Sequence, residues 1–248
     1  SILEIAAPLL ETAPERKDLE KGHDLVCSSL QSLALHVALA VDDNPALRLA
    51  LGFPTLYELQ RFTDFLADFM DTKDVYVYPK DEILRLGTAS ASKEMAKERL
   101  RTLAALTTGK PAVVLFNSVA ALQSIESPRT FAEVCFTIRK GTEMDRDGLL
   151  LRLAKAGYLK TDWVSGAFEF AARGAIVDIF SPEYEYPIRI EFDDQTIDDI
   201  RFFSPDTEEG TAKLSEALIL PCSERPVTPA AIQDGKKSLD VAAGRLCA

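Results

Sequence analysis

The hydrophobic pattern of the chain changes once, near residue 126, and this change constrains the fold more than any other feature. Before it, short apolar segments such as 75–78 (VYVY) and 111–117 (PAVVLFN) alternate with segments whose apolar residues recur at helical spacing, such as 55–70. Alternating buried strands and helices predict a parallel sheet that is covered on both faces. The first unit is therefore expected to be an α/β domain over residues 1–130.

The remaining predictions for this unit come from the same periodicity and from helix-end signals. Thr55 is expected to be an N-cap and Gly109 a helix terminator. In chain order, we expect strand 24–28, a buried helix 30–41, strand 45–52, helix 55–70, strand 75–78, helix 92–107, strand 111–117 and a helix from Ser118.

After residue 126, short segments rich in β-forming residues follow one another, separated by turn residues. We expect strands at 133–138, 167–172, 175–180, 188–192 and 196–203, and a helix at 145–156 that is closed by Gly157. This order predicts an antiparallel meander in an α+β domain over 131–221. Residues 222–248, with Pro226 and Pro229, are expected to begin a further segment.

The chain is acidic, and the acid is unevenly placed. The formal net charge of the 248 residues is -11, which argues against a duplex-DNA binder because such proteins need a basic face. Between Ser181 and Glu216 there are eleven Asp or Glu and three Lys or Arg. The run is interpreted either as a solubilising surface or as a face that attracts a basic partner.

The four cysteines lie at positions 27, 135, 222 and 247, and the two histidines at 23 and 36. No pair has the spacing of a zinc site, so no metal ligand is predicted. Each cysteine lies in an apolar stretch, which is typical of a buried free thiol. No secretory or membrane-spanning segment is recognisable, and a reducing, cytoplasmic setting with no membrane partner is expected.

No catalytic residue or cofactor is predicted. A phosphate-binding turn after the first strand needs glycines and a lysine, but residues 28–35 read SSLQSLAL. The acid pairs Asp193-Asp194 and Asp198-Asp199 lie in and just after a hairpin turn, where solvated carboxylates are common. Two distant histidines give no convincing catalytic triad.

The segment 168–205 carries the most specific pattern in the chain, and it is similar to the UvrB-related module of the Mfd family, the bacterial transcription-repair coupling factors. The similarity extends over about 24–225 and is dense from 140 to 205. The matching positions are Arg173-Gly174, Asp178-Ile179-Phe180, Pro187, Arg189, Glu191-Phe192, Asp194, Ile197-Asp198 and Ile200-Arg201.

UvrB itself is also similar, but it has an intact phosphate loop and an aromatic-rich hairpin that clamps DNA. In this chain only 79–91 separate the corresponding strand from the next helix, with no aromatic cluster. The resemblance therefore implies a degenerate nucleotide-binding (RecA/UvrB domain 1-like) parallel sheet over 1–130. It also implies an inserted α+β, UvrB domain 2-like unit over 131–221 and the start of a 1b-like segment at 222–248.

The resemblance implies a non-catalytic docking module that recruits the nucleotide excision repair protein UvrA to stalled RNA polymerase. The full-length family member is an ATP-dependent DNA translocase. The family's UvrA-contacting arginines fall on Arg173 and Arg189, with Phe192, Asp193 and Asp194 around them. A purely internal role for the arginines, paired with Asp178 or Glu191, is the alternative.

The chain departs from the family pattern at one position, because Phe192 is followed by Asp193 where the family usually has a second aromatic residue. In the family, the second aromatic residue contacts UvrA. Replacing it with Asp193 would remove apolar area that is buried on binding, which is worth on the order of 2 kcal/mol. By strand alternation, Phe192 shares a face with Ile190, and Asp193 shares the other with Arg189.

Two other functions are compatible with the sequence. The chain could be an intramolecular regulator that binds the remaining domains of the same polypeptide and restrains a downstream motor. It could also be part of a UvrB-like helicase that binds ATP or DNA, but this interpretation needs a phosphate loop. An exposed arginine-centred patch would favour docking, and arginines fully paired within the domain would favour the regulator.

Overall fold

The computed structural model describes residues 29–81, 89–109, 113–205 and 210–225. The predicted strand 24–28 and the predicted segment from 226 onward lie outside this part of the chain. Contacts divide the chain into two compact units, Ser1–Ser124 and Ile125–Ala248, and each is described by itself.

The first unit contains a three-stranded parallel sheet with the order β1-β3-β2, which confirms the predicted α/β class. Leu51, Leu115 and Val77 are register partners across its three strands. The elements are α1 (Leu30–Asp43), β1 (Leu49–Phe53), α2 (Leu56–Ala67), a 3₁₀ turn (Thr72–Asp74), β2 (Val75–Tyr78), α3 (Ala89–Thr108), β3 (Val113–Asn117) and α4 (Ser118–Ala121).

Helix α2 shows how the sequence determines this unit. The Thr55 hydroxyl oxygen accepts a hydrogen bond from the Glu58 amide and donates one to the Glu58 carboxylate, so the predicted N-cap forms a capping box. Leu59, Phe62 and Leu66 then recur at helical spacing and are fully buried in the core of the unit. Burying three such side chains stabilises the fold by about 1.5–3 kcal/mol each.

The two faces of the parallel sheet are buried unequally. Val113 and Leu115 on β3 point into the core that α1 and α2 share, and neither is exposed. On the opposite face Val114 and Phe116 are half-buried and Ala50 is exposed. Tyr78, the partner of Phe116 on that face, is buried, so among the described residues the second face is covered less completely than the first.

The second unit contains a six-stranded sheet with the order β10-β9-β8-β7-β6-β5, in which only the β5–β6 pair is parallel. A separate antiparallel pair joins β4 to β11. The elements are α5 (Pro128–Val134), β4 (Phe136–Arg139), α6 (Arg146–Lys155), β5 (Leu159–Lys160), β6 (Glu169–Arg173), β7 (Ile176–Ile179), β8 (Ile188–Asp193), β9 (Thr196–Phe203), β10 (Gly210–Lys213) and β11 (Glu216–Ile219).

One predicted strand is partly wrong. Residues 133–138 were expected to be extended, but helix α5 continues to Val134 and the strand begins at Phe136. Ser127 is the N-cap of this helix, its hydroxyl accepts a hydrogen bond from the Thr130 amide, and Pro128 occupies the first turn. These are ordinary helix-start signals, and they outweigh the β propensity of the residues that follow.

The core of the second unit lies between its six-stranded sheet, α6 and the β4–β11 pair. On β8, Ile188, Ile190 and Phe192 point into this core, and Arg189 and Glu191 point to the opposite face. The alternation expected for Phe192 and Arg189 is thereby confirmed.

Candidate protein-interaction site

The face of the six-stranded sheet opposite the core, called the outer face below, carries a row of charged side chains. Asp178, Arg189, Arg201 and Lys213 are successive cross-strand partners on β7, β8, β9 and β10. Because directly opposed residues on one face of a sheet lie about 5 Å apart, the row places three basic side chains next to one another, with Asp178 at one end.

Asp178 organises one half of the outer face. Its Oδ1 accepts a hydrogen bond from Nε of Arg189 at 2.7 Å, and its Oδ2 accepts one from Nη2 of Arg189 at 2.8 Å. The same Oδ2 accepts a further bond from Nη2 of Arg173 at 3.0 Å. Asp178 is almost completely buried, and such a two-pronged arginine–carboxylate contact fixes the orientation of both groups. Both predicted arginines are thus paired within the domain.

The two arginines differ in exposure. The Arg189 side chain is 10% exposed and its guanidinium carbon lies 4.5 Å from the ring centroid of the buried Phe203. The Arg173 side chain is 36% exposed, and its guanidinium carbon lies 4.1 Å from the ring centroid of Trp163. Arg173 therefore reaches the surface, and Arg189 supports it from below through Asp178.

Asp199 organises the other half of the outer face. Its carboxylate contacts Nζ of Lys140 at 3.2 Å, Nζ of Lys213 at 3.4 Å and Nη1 of Arg201 at 2.9 Å. Burial raises the pKa of Asp199, but the hydrogen bonds from Arg201 and Lys140 outweigh it and hold the pKa below its ordinary value. The position of Asp199 corrects the expectation that it is a solvated carboxylate of the turn.

A β-bulge explains this correction. Glu191 faces Asp199 and Phe192 faces Ile197, so Asp198 is the extra residue and Asp199 is directed onto the outer face. Glu191 also bonds to Arg201, and this bond lowers the pKa of Glu191.

Two turns meet at one end of the sheet. Arg173 precedes the turn between β6 and β7, and Asp193 precedes the turn between β8 and β9. The amide of Phe192 donates to the carbonyl oxygen of Ala175 at 2.9 Å, which holds the two turns side by side. Asp194 has a φ of 54°, a left-handed conformation that aspartate tolerates better than most residues.

Arg173 and the exposed Asp193 and Asp194 thus lie in or next to neighbouring turns at the same end of the sheet. Phe192 is 7% exposed and belongs to the core, so it supports the turn from beneath and presents almost no surface to a partner.

Trp163 is the residue that sequence reasoning missed. It lies in the loop between β5 and β6, it is 61% exposed, and it stacks on Arg173. The only signal in the sequence was that it is the single tryptophan of the chain and lies within a polar segment, KTDWVSG.

The other predicted site features lie elsewhere. Cys135 and Cys222 are free thiols, and burial raises their pKa values to about 11 and about 12. Within the described ranges, no group of three potential metal ligands is found. No helix of the described part of the chain is long and apolar enough to cross a bilayer.

In the first unit, the carboxyl ends of β2 and β3 are joined by Asn117. The Asn117 side chain accepts a hydrogen bond from the Lys80 amide at 3.0 Å and donates one to the Lys80 carbonyl oxygen at 2.8 Å. This end of a parallel sheet is where α/β proteins commonly bind ligands. Here the buried Asn117 side chain occupies this end of the sheet and joins two segments of the chain.

An exposed tryptophan stacked on an arginine, next to a charged sheet face, has the composition of a protein-interaction surface. Residues 136–224, which contain this face, match the family described as the UvrB interaction domain.

The chain is also similar to transcription-repair-coupling factors. It is 32% identical over 174 residues to that of Bacillus subtilis (strain 168), which is 70% of this chain and 15% of the relative. It is 32% identical over 187 residues to that of Staphylococcus aureus (strain bovine RF122 / ET3-1), which is 75% of this chain and 16% of the relative. The chain is therefore a homologue of transcription-repair-coupling factors that carries a UvrB interaction domain, and it spans about a sixth of the length of these relatives.

Proposed function

We propose that this chain is a non-catalytic docking module that binds UvrA through the Arg173 end of the outer face. In the longer polypeptide it would recruit UvrA to stalled RNA polymerase in the cytoplasm, and we propose no catalysis and no DNA contact for the chain itself. The observation that carries the proposal is the partly exposed Arg173, which Asp178 holds in one orientation at the end of the sheet where Asp193 and Asp194 also lie.

The roles of the predicted residues follow from their positions. Arg173 contacts the partner directly, because a planar guanidinium offers donors suited to a carboxylate and arginine is enriched at interface hot spots. Arg189 acts through Asp178, which it holds with two hydrogen bonds. Asp193 and Asp194 form an acidic rim that orients the partner, and Phe192 fixes the turn from the core.

A second candidate function is supported by the pairing itself. Both arginines bond to Asp178 within the domain, which is the arrangement expected of an intramolecular regulator. In that case the same end of the outer face would bind the remaining domains of the polypeptide and restrain its motor.

The test is a calorimetric titration of the complete 248-residue chain with UvrA from the same organism. The double variant Arg173→Ala, Arg189→Ala is expected to abolish binding, because it removes both the contact and its support. Arg139→Ala is the matched control: Arg139 is a well-exposed arginine of the same unit that pairs with Glu216 on the separate β4–β11 pair. It is expected to bind as the wild type does.

Circular dichroism should first establish that each variant is folded. A folded wild-type chain that does not bind UvrA would overturn the proposal and favour the regulator. Equal loss of binding in the Arg139 variant would show that the Arg173 end of the outer face is not the site.

A further inference from the structure

We propose that Trp163 is the principal apolar contact of the docking face, and that it enters an apolar pocket with an acidic rim on UvrA. The proposal rests on the proposed function and assigns to its site a residue and a complementary partner surface. Three observations carry it: the exposure of Trp163, the rigidity of the segment that presents it, and the charge around it.

Trp163 exposes a large apolar surface next to the proposed polar contact. The side chain is 61% exposed and one part of the ring lies against the Arg173 guanidinium. Tryptophan and arginine are both enriched at interface hot spots, and here the two side chains lie against each other at the surface.

The segment that presents Trp163 is held on both sides. Before it, the Thr161 amide donates to the Phe170 carbonyl oxygen at 2.9 Å. After it, Val164 is buried, and one carboxylate oxygen of Glu169 accepts hydrogen bonds from the Ser165 amide at 2.9 Å and the Gly166 amide at 3.1 Å. Trp163 is thus fixed before any partner arrives, which lowers the entropy lost on binding.

The charge of the outer face indicates the chemistry of the partner. The Trp163 ring lies against the Arg173 guanidinium, so the charge in direct contact with the exposed ring is positive. A partner that covers Trp163 also approaches Arg173, so an acidic group beside an apolar pocket is complementary to this surface.

The first experiment titrates the complete chain and its Trp163→Ala and Trp163→Phe variants with UvrA. We expect Trp163→Ala to weaken the affinity by about 30-fold or more, as for other interface hot spots. Trp163→Phe should retain part of the affinity because it keeps an aromatic ring over Arg173. Tyr186→Ala is the matched control, since Tyr186 is an aromatic residue of the same unit that is 56% exposed.

The second experiment observes Trp163 directly. Because the chain has one tryptophan, labelling with fluorotryptophan gives one fluorine NMR resonance. We expect this resonance to shift or broaden when unlabelled UvrA is added, and to remain unchanged when UvrA is added to the Arg173→Ala, Arg189→Ala variant.

The outcomes separate the two proposals. Binding that survives Trp163→Ala but is lost in the double arginine variant would overturn the role of Trp163 and leave the proposed function standing. A fluorine resonance that does not respond to a bound UvrA would do the same. A wild-type chain that does not bind UvrA would overturn both.

Discussion

The two faces of the six-stranded sheet are buried in different ways. On the core face, Val177, Ile188 and Ile190 are fully buried among other apolar side chains. On the outer face, Asp178 and Arg189 are nearly as deeply buried, but they are held by charge-assisted hydrogen bonds of defined length and direction. Apolar packing tolerates small shifts of a side chain, whereas a two-pronged ion pair does not.

This difference indicates what the outer face is built for. Buried ion pairs contribute little net stability because desolvation offsets their attraction, and apolar residues of similar size often serve equally well. The ion pairs of the outer face therefore fix the orientation of its side chains more than they stabilise the fold. Their main effect is to hold the Arg173 guanidinium in one position at the surface.

The largest expected effect comes from breaking the Asp178 pairings. Asp178→Ala leaves the buried Arg189 without its carboxylate, and we expect it to lower the free energy of unfolding by about 3–5 kcal/mol. Urea denaturation followed by circular dichroism measures this. The double variant Asp178→Leu, Arg189→Met should recover most of the loss; equal instability of both variants would show that shape, not charge, determines this face.

The next effect concerns the Asp199 cluster and depends on pH. Asp199→Asn should lower the free energy of unfolding by about 1–2 kcal/mol at neutral pH, because it weakens several charge-assisted hydrogen bonds. The pKa of Asp199 is held below 3.8 in the folded chain. Its contribution is therefore present above pH 3.8 and lost as the pH falls through the folded pKa.

Urea midpoints of wild type and the Asp199→Asn variant, measured from about pH 7 to about pH 2, should therefore converge in acid. A difference between them that stays constant over this range would show that the charge of Asp199 is not what stabilises the cluster.

A smaller effect is expected on the core face. Ile190→Val removes one methyl group from a fully buried position and should lower the free energy of unfolding by about 1 kcal/mol. The same urea titration applies. A loss as large as that of Asp178→Ala would remove the contrast between the two faces.

The smallest effect is expected at the edge of the outer face. Lys213 is largely exposed and contacts Asp199 at 3.4 Å, so Lys213→Ala should change the free energy of unfolding by less than about 0.5 kcal/mol. Raising the salt concentration should leave even this difference undetectable. A clear, salt-sensitive loss would mean that the edge cation is coupled to the buried cluster.

The sequence predicted the local features of this molecule well. Thr55 as N-cap, the positions of the meander strands and the opposite faces of Phe192 and Arg189 all follow from spacing between near neighbours, and the structure confirms them. Features that join distant residues were not predicted. Strand β11 pairs with β4 from Ile219 to Phe136, and no periodicity connects segments so far apart.

The candidate site shows the same limit. Arg173 and Arg189 were selected from the resemblance, but their difference in exposure depends on Asp178, Phe203 and Trp163, which lie on other strands and loops. Trp163 has no periodic pattern that would mark it. Its significance comes from stacking on Arg173, ten positions further along the chain, which only the folded backbone brings about.

The β4–β11 pair also determines how the second unit responds to tension. The chain enters β4 at Phe136 and leaves β11 at Ile219, and these two residues are partners at the same end of the pair. A force that separates these two residues breaks the hydrogen bonds between β4 and β11 one after another, starting from this end. It does not load all of them at once, as a shearing force would. Just outside this end, the Tyr158 hydroxyl donates to the Leu220 carbonyl oxygen at 2.7 Å and the Cys222 amide to the Ala156 carbonyl oxygen at 2.9 Å. These two hydrogen bonds must break before the β4–β11 pair can begin to separate.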